Sequence, residues 1–272
     1  MRNDNVKKLR NLLDIKNFIP IPACFDALSA KLIQQEGFEV TFMSGFAASA
    51  SRIGEPDLGV MTFSEVLDQV NNICDAISIP VIGDGDTGYG NTVNVQRTVK
   101  SFAKVGCAGI LIEDQLSPKR CGHTPGKEVV SRDEAFDRIR AAVDARKEND
   151  ILIMARTDAN SAKLLTSDVD HQDHEFIADK ERTPEGFFRI NGGIECAIAR
   201  GLAYAPYCDL LWCETSTPNL EEARKFADAI HEKYPGKLLA YNCSPSFNWK
   251  KHLSDDEIAS FQQEIAKMGY KF

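Results

Sequence analysis

The 272-residue sequence predicts an α/β protein, a single (β/α)8 TIM-type barrel domain over residues 1–272 that reaches only the start of its eighth strand. Three observations lead there. Seven short, almost wholly apolar runs alternate with amphipathic helical stretches, as in a parallel sheet whose strands are buried on both faces. Polar and acidic residues gather at the C-terminal ends of those runs, the face on which barrels build their sites. The length also suits one barrel, which takes about 250 residues.

The elements follow in order. An N-terminal helix at about 4–15 precedes "IPIPACFD" (19–26) and "VTFMSG" (40–45). A helical stretch "SEVLDQVNNICDAI" leads to "IPVIGDGD" (79–86), and "TVNVQRTVKSFAKVG", stopped at Gly106, leads to "GILIED" (109–114). "SRDEAFDRIRAAVDARK" offers Ser131 as N-cap with acids in its first turn, and precedes "ILIMARTDA" (151–159). An insertion at about 164–192 separates that run from "LLWCETS" (210–216). "NLEEARKFADAIHEKYPG", with Asn219 as N-cap and Gly236 as stop, leads to "LLAYNCS" (238–244), and "MGYKF" stands where an eighth strand would begin.

Composition excludes several roles. A net charge of −8 argues against nucleic acid, whose phosphates need a basic surface. No run approaches the ~18 apolar residues that span a bilayer, and the charged N-terminus lacks a signal-peptide core, so the expectation is a cytoplasmic protein without a membrane partner. Eight cysteines form no C-x-x-C pair, which fits a reducing compartment. An acidic protein that takes an acidic metabolite needs a metal or local cations.

"GDGDTGYG" (83–90) carries the G-x-G-x-x-G spacing at Gly83, Gly85 and Gly88. Asp84 and Asp86 within it would repel a pyrophosphate, so a dinucleotide site is the weaker reading. A divalent-cation site is the stronger one. Asp84 and Asp86, two residues apart, point the same way from an extended segment, and Glu113 and Asp57 complete a set of hard oxygen donors suited to Mg²⁺, with Mn²⁺ as the alternative. For Asp57 a turn role in "GEPDLG" weighs equally.

In "SPKRCGH" (117–123), Cys121 is flanked by Lys119, Arg120 and His123, the electropositive setting that lowers a thiol pKa. His171 and His174 stand three apart without a third soft ligand and read as a surface stretch.

These motifs identify a resemblance. "MSGFAASASRIGEPDLGVMT" and "GDGDTGYGNTVNV" are similar to the short members of the isocitrate lyase and phosphoenolpyruvate mutase superfamily, and "SPKRCGH" to the signature loop of its lyases. From about residue 164, "LLTSDVDHQDHEFI", "ARGLAYAPYCDLLWCETSTP" and "LLAYNCSPSFNWKK" resemble isocitrate lyase. The resemblance implies a Mg²⁺-dependent retro-aldol cleavage of a tricarboxylate, isocitrate giving glyoxylate and succinate, in a homo-oligomer that is a tetramer in the family. The alternatives are a 2-methylisocitrate or 2,3-dimethylmalate lyase, or a chain without activity.

Carried over by motif, Asp84 holds the metal and Asp86, Glu113 and Asp57 reach it through water. Ser44 and Gly45 take the glyoxylate carboxylate, with Phe46 where isocitrate lyases usually have Trp. Arg156 lies over the developing carbonyl, Glu214 is nearby, and Asn242, Ser244 and Ser246 hold the succinate end. Gly122 joins the substrate-binding set. Cys121, with His123, protonates the succinate enediolate, and Tyr89 is a candidate base. A family threonine that contacts the succinate end would lie beyond Phe272.

Overall fold

The predicted apolar runs form strands, and several of these end at or next to an acid, as at Asp84, Glu113, Asp158 and Glu214. In the computed structural model, which describes residues 2–123, 126–146 and 150–272, the chain runs through α1 (Arg2–Ile15), β1 (Ala23–Cys24), α2 (Ala27–Gln35), β2 (Thr41–Met43), α3 (Gly45–Ile53), α4 (Phe63–Ala76), β3 (Val81–Asp84), α5 (Thr92–Val105) and β4 (Gly109–Glu113). It continues with β5 (Glu128–Val129), α6 (Arg132–Arg146), β6 (Leu152–Thr157), β7 (Leu164–Leu165), β8 (Ile177–Arg182), β9 (Phe188–Ile190) and α7 (Ile194–Tyr204). The last elements are β10 (Leu210–Cys213), α8 (Leu220–Lys233), β11 (Leu238–Ala240), α9 (Trp249–His252) and α10 (Asp255–Lys267). Each of the seven predicted runs holds one strand: β1, β2, β3, β4, β6, β10 or β11. No described helix is long and apolar enough to cross a membrane.

The chain divides into two compact units. The first comprises Met1–Glu113, Ser117–Cys121 and Asp137–Met154. In it β1, β2, β3 and β4 pair in parallel and in sequence order, with Ala23 opposite Phe42, Thr41 opposite Val81 and Ile82 opposite Gly109. The Leu152 N–H donates to the Ala108 carbonyl at 3.0 Å, so β6 enters beside β4. Strands β3 and β4 are buried along their whole length, as their unbroken apolar runs require. Helices pack on them through Ile73, Val99, Phe102 and Ala142. A Cβ on Gly83 would stand 2.7 Å from Phe102 Cε1, so glycine is what lets α5 lie against β3. Capping boxes start three of these helices, at Asp26 with Ser29, Thr62 with Glu65 and Asn91 with Asn94.

The second unit comprises Asp114–Leu116, Gly122–Phe136 and Ala155–Phe272. The Glu214 N–H donates to the Thr157 carbonyl at 2.9 Å, which sets the end of β10 beside the end of β6. Strands β10 and β11 pair in parallel, Leu210 opposite Leu238. Tyr270 forms a parallel bridge with Leu239, and the Tyr241 N–H donates to the Phe272 carbonyl at 2.7 Å, so the last residues take the place next to β11 that an eighth strand occupies. The sequence reading anticipated an insertion at 164–192 but not its strands. Here β5, β7, β9 and β8 form a small four-stranded sheet over Val129, Ala162, Leu165, Phe188 and Ile190.

Candidate active site

In the first unit the predicted residues meet at strand ends. Strand β2 stops at Met43 because the Ser44 hydroxyl accepts from the Ala47 N–H at 3.2 Å and caps α3. The next amide, Gly45 N–H, donates to Asp84 Oδ2 at 3.2 Å, and Asp84 Oδ1 accepts from the Asp86 N–H at 3.1 Å. Asp84 is thereby fixed by two backbone donors at the end of β3. The loop beyond is held in a costly form, with Asp86 at φ 47° and Tyr89 at φ 62°, a region non-glycine residues seldom occupy. The Gly85 N–H donates to Leu111 O at 3.0 Å, and that oxygen would lie 2.5 Å from any Cβ on Gly85. These amides serve the protein's own carbonyls, unlike those of a dinucleotide loop. The Glu113 N–H closes onto Asp86 O at 2.9 Å. Asp57, Asp84, Asp86 and Glu113 are all buried, and Phe46 is exposed.

Lys119 was expected beside Cys121 as one of its cations, and the structure sends its ammonium elsewhere. Lys119 Nζ lies 2.7 Å from Asp57 Oδ2 and 3.0 Å from Asp86 Oδ1, with the side chain 3% exposed. Burial alone would lower the Lys119 pKa, but Asp86, Asp84, Glu113 and Asp57 hold it well above its ordinary value. Burial pushes Asp86 up to about 6; Lys119 acts against this, while Asp84 and Asp57 add to it. Burial, then Asp86 and Asp84, push the Tyr89 hydroxyl well above its ordinary value, so it stands as a neutral phenol without a cation. Cys121 is half-buried, and its N–H donates to Asp57 O at 2.9 Å.

In the second unit, Gly122 approaches Glu214 so closely that a Cβ would lie 2.6 Å from Oε2. His123 Nδ1 is 3.1 Å from the Thr215 carbonyl, which can only accept, so the ring proton sits on Nδ1. Nε2 then accepts from Asn242 Nδ2 at 3.2 Å, and the ring meets Phe247 edge-on at 5.1 Å. Arg156 Nη1 lies 3.4 Å from Glu214 Oε2. The Ser244 hydroxyl accepts from the Ser246 N–H at 3.1 Å and starts a short turn; Ser244 is buried and Ser246 exposed.

Sequence reasoning places Asp158 among the polar strand ends without a role in the site and does not mark Lys127, and together these two form the centre of the cluster. Asp158 takes Arg156 Nε on one oxygen at 2.9 Å and Lys127 Nζ on the other at 2.8 Å, and Lys127 also donates to the Gly122 carbonyl at 2.8 Å. One carboxylate thus orients Arg156 and, through Lys127, anchors the loop that carries His123. Burial raises Asp158, but Arg156 and Lys127 more than offset this and hold its carboxyl below the ordinary range. Asp158 in turn receives order from Asp114, which accepts its N–H at 2.8 Å and pairs with buried Arg200 at 3.2 Å. The "RTD" at a strand end was the one available signal for Asp158; nothing local marks Lys127.

The family model of phosphoenolpyruvate phosphomutase matches residues 9–205, and that of the isocitrate lyase family matches residues 178–272. The chain belongs to the phosphoenolpyruvate mutase/isocitrate lyase superfamily. It is 44% identical over 293 residues to an isocitrate lyase of Halalkalibacterium halodurans, covering 98% of this chain and 68% of that protein. To an isocitrate lyase of Escherichia coli it is 56% identical over 197 residues, 71% of this chain and 45% of the relative, so that match spans about half of the relative's length. Among solved structures of the superfamily's fold, oxaloacetate acetylhydrolase with 3,3-difluorooxalacetate is 31% identical at a TM-score of 0.77, covering 98% of this chain and 78% of the other. A 2,3-dimethylmalate lyase is 30% identical at 0.76, covering 98% and 76%. The expected α/β barrel class and the superfamily therefore stand.

Proposed function

We propose that this chain is a divalent-cation-dependent carbon–carbon lyase that cleaves isocitrate to glyoxylate and succinate. The observation that carries the reading is the first unit's cluster, where Asp57 and Asp86 share one buried ammonium beside Asp84, and Cys121 is tied to Asp57. The identity to isocitrate lyases supports the substrate.

Mg²⁺, or Mn²⁺, fits this donor set, because the acids are hard oxygen ligands that already draw a cation inward. Among the described residues no group of three or more His, Cys, Asp or Glu encloses an ion position. Mg²⁺ keeps several waters and needs only one or two direct carboxylates, so Asp84 would hold it and Asp86, Glu113 and Asp57 would act through water. Held there, Mg²⁺ would supply polarisation of the oxygen that becomes the aldehyde carbonyl and a lower pKa for that hydroxyl.

The chain's own groups do the rest. The hydroxyl proton passes to a base, for which Tyr89 is the candidate, although a phenolate at so buried a position needs a cation beside it. As the C–C bond breaks, its electron pair passes to the succinate fragment. Cys121 gives its S–H proton to that carbon and is left as thiolate. Ser44 and Gly45 receive the glyoxylate carboxylate, and Asn242, Ser244 and Ser246 the succinate end, with Phe46 and Gly122 completing the substrate contacts. Arg156 offsets charge on the developing carbonyl, its orientation fixed by Asp158. The family resemblance gives His123 a part in the same proton transfer, and Glu214 orients Arg156. The enzyme is proposed to work in the cytoplasm as a homo-oligomer, the tetramer of the family, which size-exclusion chromatography with light scattering would measure.

A second reading, a 2-methylisocitrate or 2,3-dimethylmalate lyase, is favoured by exposed Phe46 and by the dimethylmalate lyase neighbour. One assay separates them: the purified chain with Mg²⁺ and isocitrate, 2-methylisocitrate or 2,3-dimethylmalate in turn, trapping keto acid with phenylhydrazine, and Cys121→Ser as the blank. Glyoxylate that vanishes in the variant is expected. Pyruvate alone moves the reading to the methylated substrate, and no keto acid from folded protein overturns both.

A further inference from the structure

We propose that Trp249 is a positioning residue for the succinate end of the site: its indole fixes both the serine turn that receives the carboxylate and the wall on which the His123 ring rests. The inference lies wholly within the second unit. It rests on the proposed function for its substrate, though not for its geometry.

The turn is held through its carbonyl. Ser244 O accepts from the Phe247 N–H at 3.3 Å and from the Trp249 Nε1–H at 2.7 Å, while the Ser244 hydroxyl accepts from the Ser246 N–H at 3.1 Å. With a lone pair engaged in this way, the buried hydroxyl is turned to donate its own proton, the bond a carboxylate takes. Trp249 reaches back to Ser244 because Asn248 turns the chain at φ 51°, a left-handed conformation that asparagine tolerates better than most residues. The same indole backs Phe247, with ring centres 5.6 Å apart and planes at 36°, and Phe247 meets the His123 ring edge-on at 5.1 Å. On its other side Trp249 stands perpendicular to Phe261 of α10 at 5.0 Å, and Phe247 and Phe261 are both buried. The bracket is therefore anchored in the core. His123 has polar anchors of its own: Nδ1 at the Thr215 carbonyl, with Glu214 Oε1 3.8 Å away, and Nε2 at Asn242. Hydrogen bonds at the two nitrogens define an axis about which the ring can still rock, and Phe247 is the apolar contact that sets its tilt. A tryptophan that only filled the core would need its ring alone; this one spends its N–H on the turn that the substrate meets.

The test compares wild type, Trp249→Phe and Trp249→Ala by two readouts. Inhibition of isocitrate cleavage by added succinate and by added glyoxylate separates the two ends of the site, and the ¹⁵N imidazole resonances of His123, assigned by their loss in His123→Gln, report the ring itself. Trp249→Phe keeps a ring beside Phe247 and loses only the N–H. Succinate inhibition should then weaken about tenfold, the worth of one well-placed hydrogen bond, with glyoxylate inhibition unchanged and the His123 resonances in place. Trp249→Ala loses the ring as well and should also move those resonances. Where it fails to fold, Phe247→Leu, which removes the edge-on contact at similar volume, gives the same readout. Succinate inhibition unchanged in Trp249→Phe, or equal weakening for both products, overturns the positioning role. His123 resonances that stay in place in Trp249→Ala and Phe247→Leu overturn the wall. A wild type that cleaves no isocitrate overturns the substrate reading and the succinate claim with it, and the resonances then decide the bracket by themselves.

Discussion

Both units bury acids at their strand ends, yet they neutralise them differently. In the second, Asp158 meets Lys127 and Arg156, Glu214 meets Arg156, and Asp114 and Asp173 meet Arg200. In the first, Asp57 and Asp86 share Lys119, and Asp84 relies on two backbone N–H groups. The consequence shows in the carboxyls themselves: Asp86 is pushed up to about 6, whereas Asp158 is held below its ordinary range. A satisfied network makes a rigid support. An undercompensated one stores a demand for positive charge, which is how sites that take cations differ from scaffolds.

The contrast can be broken most sharply by separating activity from stability. Cys121→Ser should cut keto acid release by about 10²–10⁴-fold, the usual worth of a proton carrier, with an unfolding free energy within about 0.5 kcal/mol of wild type by urea denaturation. Asp158→Ala should do the reverse first, costing about 3–5 kcal/mol in the same unfolding measurement because Lys127 and Arg156 are left buried without their carboxylate.

A pH series in EDTA sharpens the comparison further, because the two carboxyls act with opposite sign. Asp86 binds its proton more tightly folded than unfolded, so its stabilisation is full below about pH 4 and lost as pH rises through about 6. Asp158 binds its proton less tightly when folded, so its stabilisation is full above about pH 4 and lost as pH falls through its depressed value. Urea midpoints should show Asp86→Asn removing the upper slope and Asp158→Asn the lower. The smallest effect is Asn242→Ala, which removes the donor to His123 Nε2 and should cost about 1 kcal/mol while shifting the ¹⁵N imidazole resonances.

The main strands were legible because burial on both faces leaves unbroken apolar runs, as in "GILIED". The start of α3 was hidden, since "SG" after a strand reads as a turn until Ser44 is seen capping Ala47. Strand β8 is nearly all exposed and polar, and pairing with β9 creates it, so no local pattern announces it. The acids of the first site were readable from their crowding at strand ends. Lys119 and Lys127 were not, because a loop lysine looks solvated in sequence and its burial depends on acids far along the chain, Asp57 for one and Asp158 for the other.

The most direct measurement is the paired unfolding of Asp86→Asn and Asp158→Asn at pH 8 without metal. An undercompensated site beside a satisfied scaffold predicts that Asp86→Asn is at least as stable as wild type and Asp158→Asn is clearly less stable. Equal losses in both, or a greater loss in Asp86→Asn, would contradict the account, because the first unit's acids would then be structural ion pairs and not a seat for a cation.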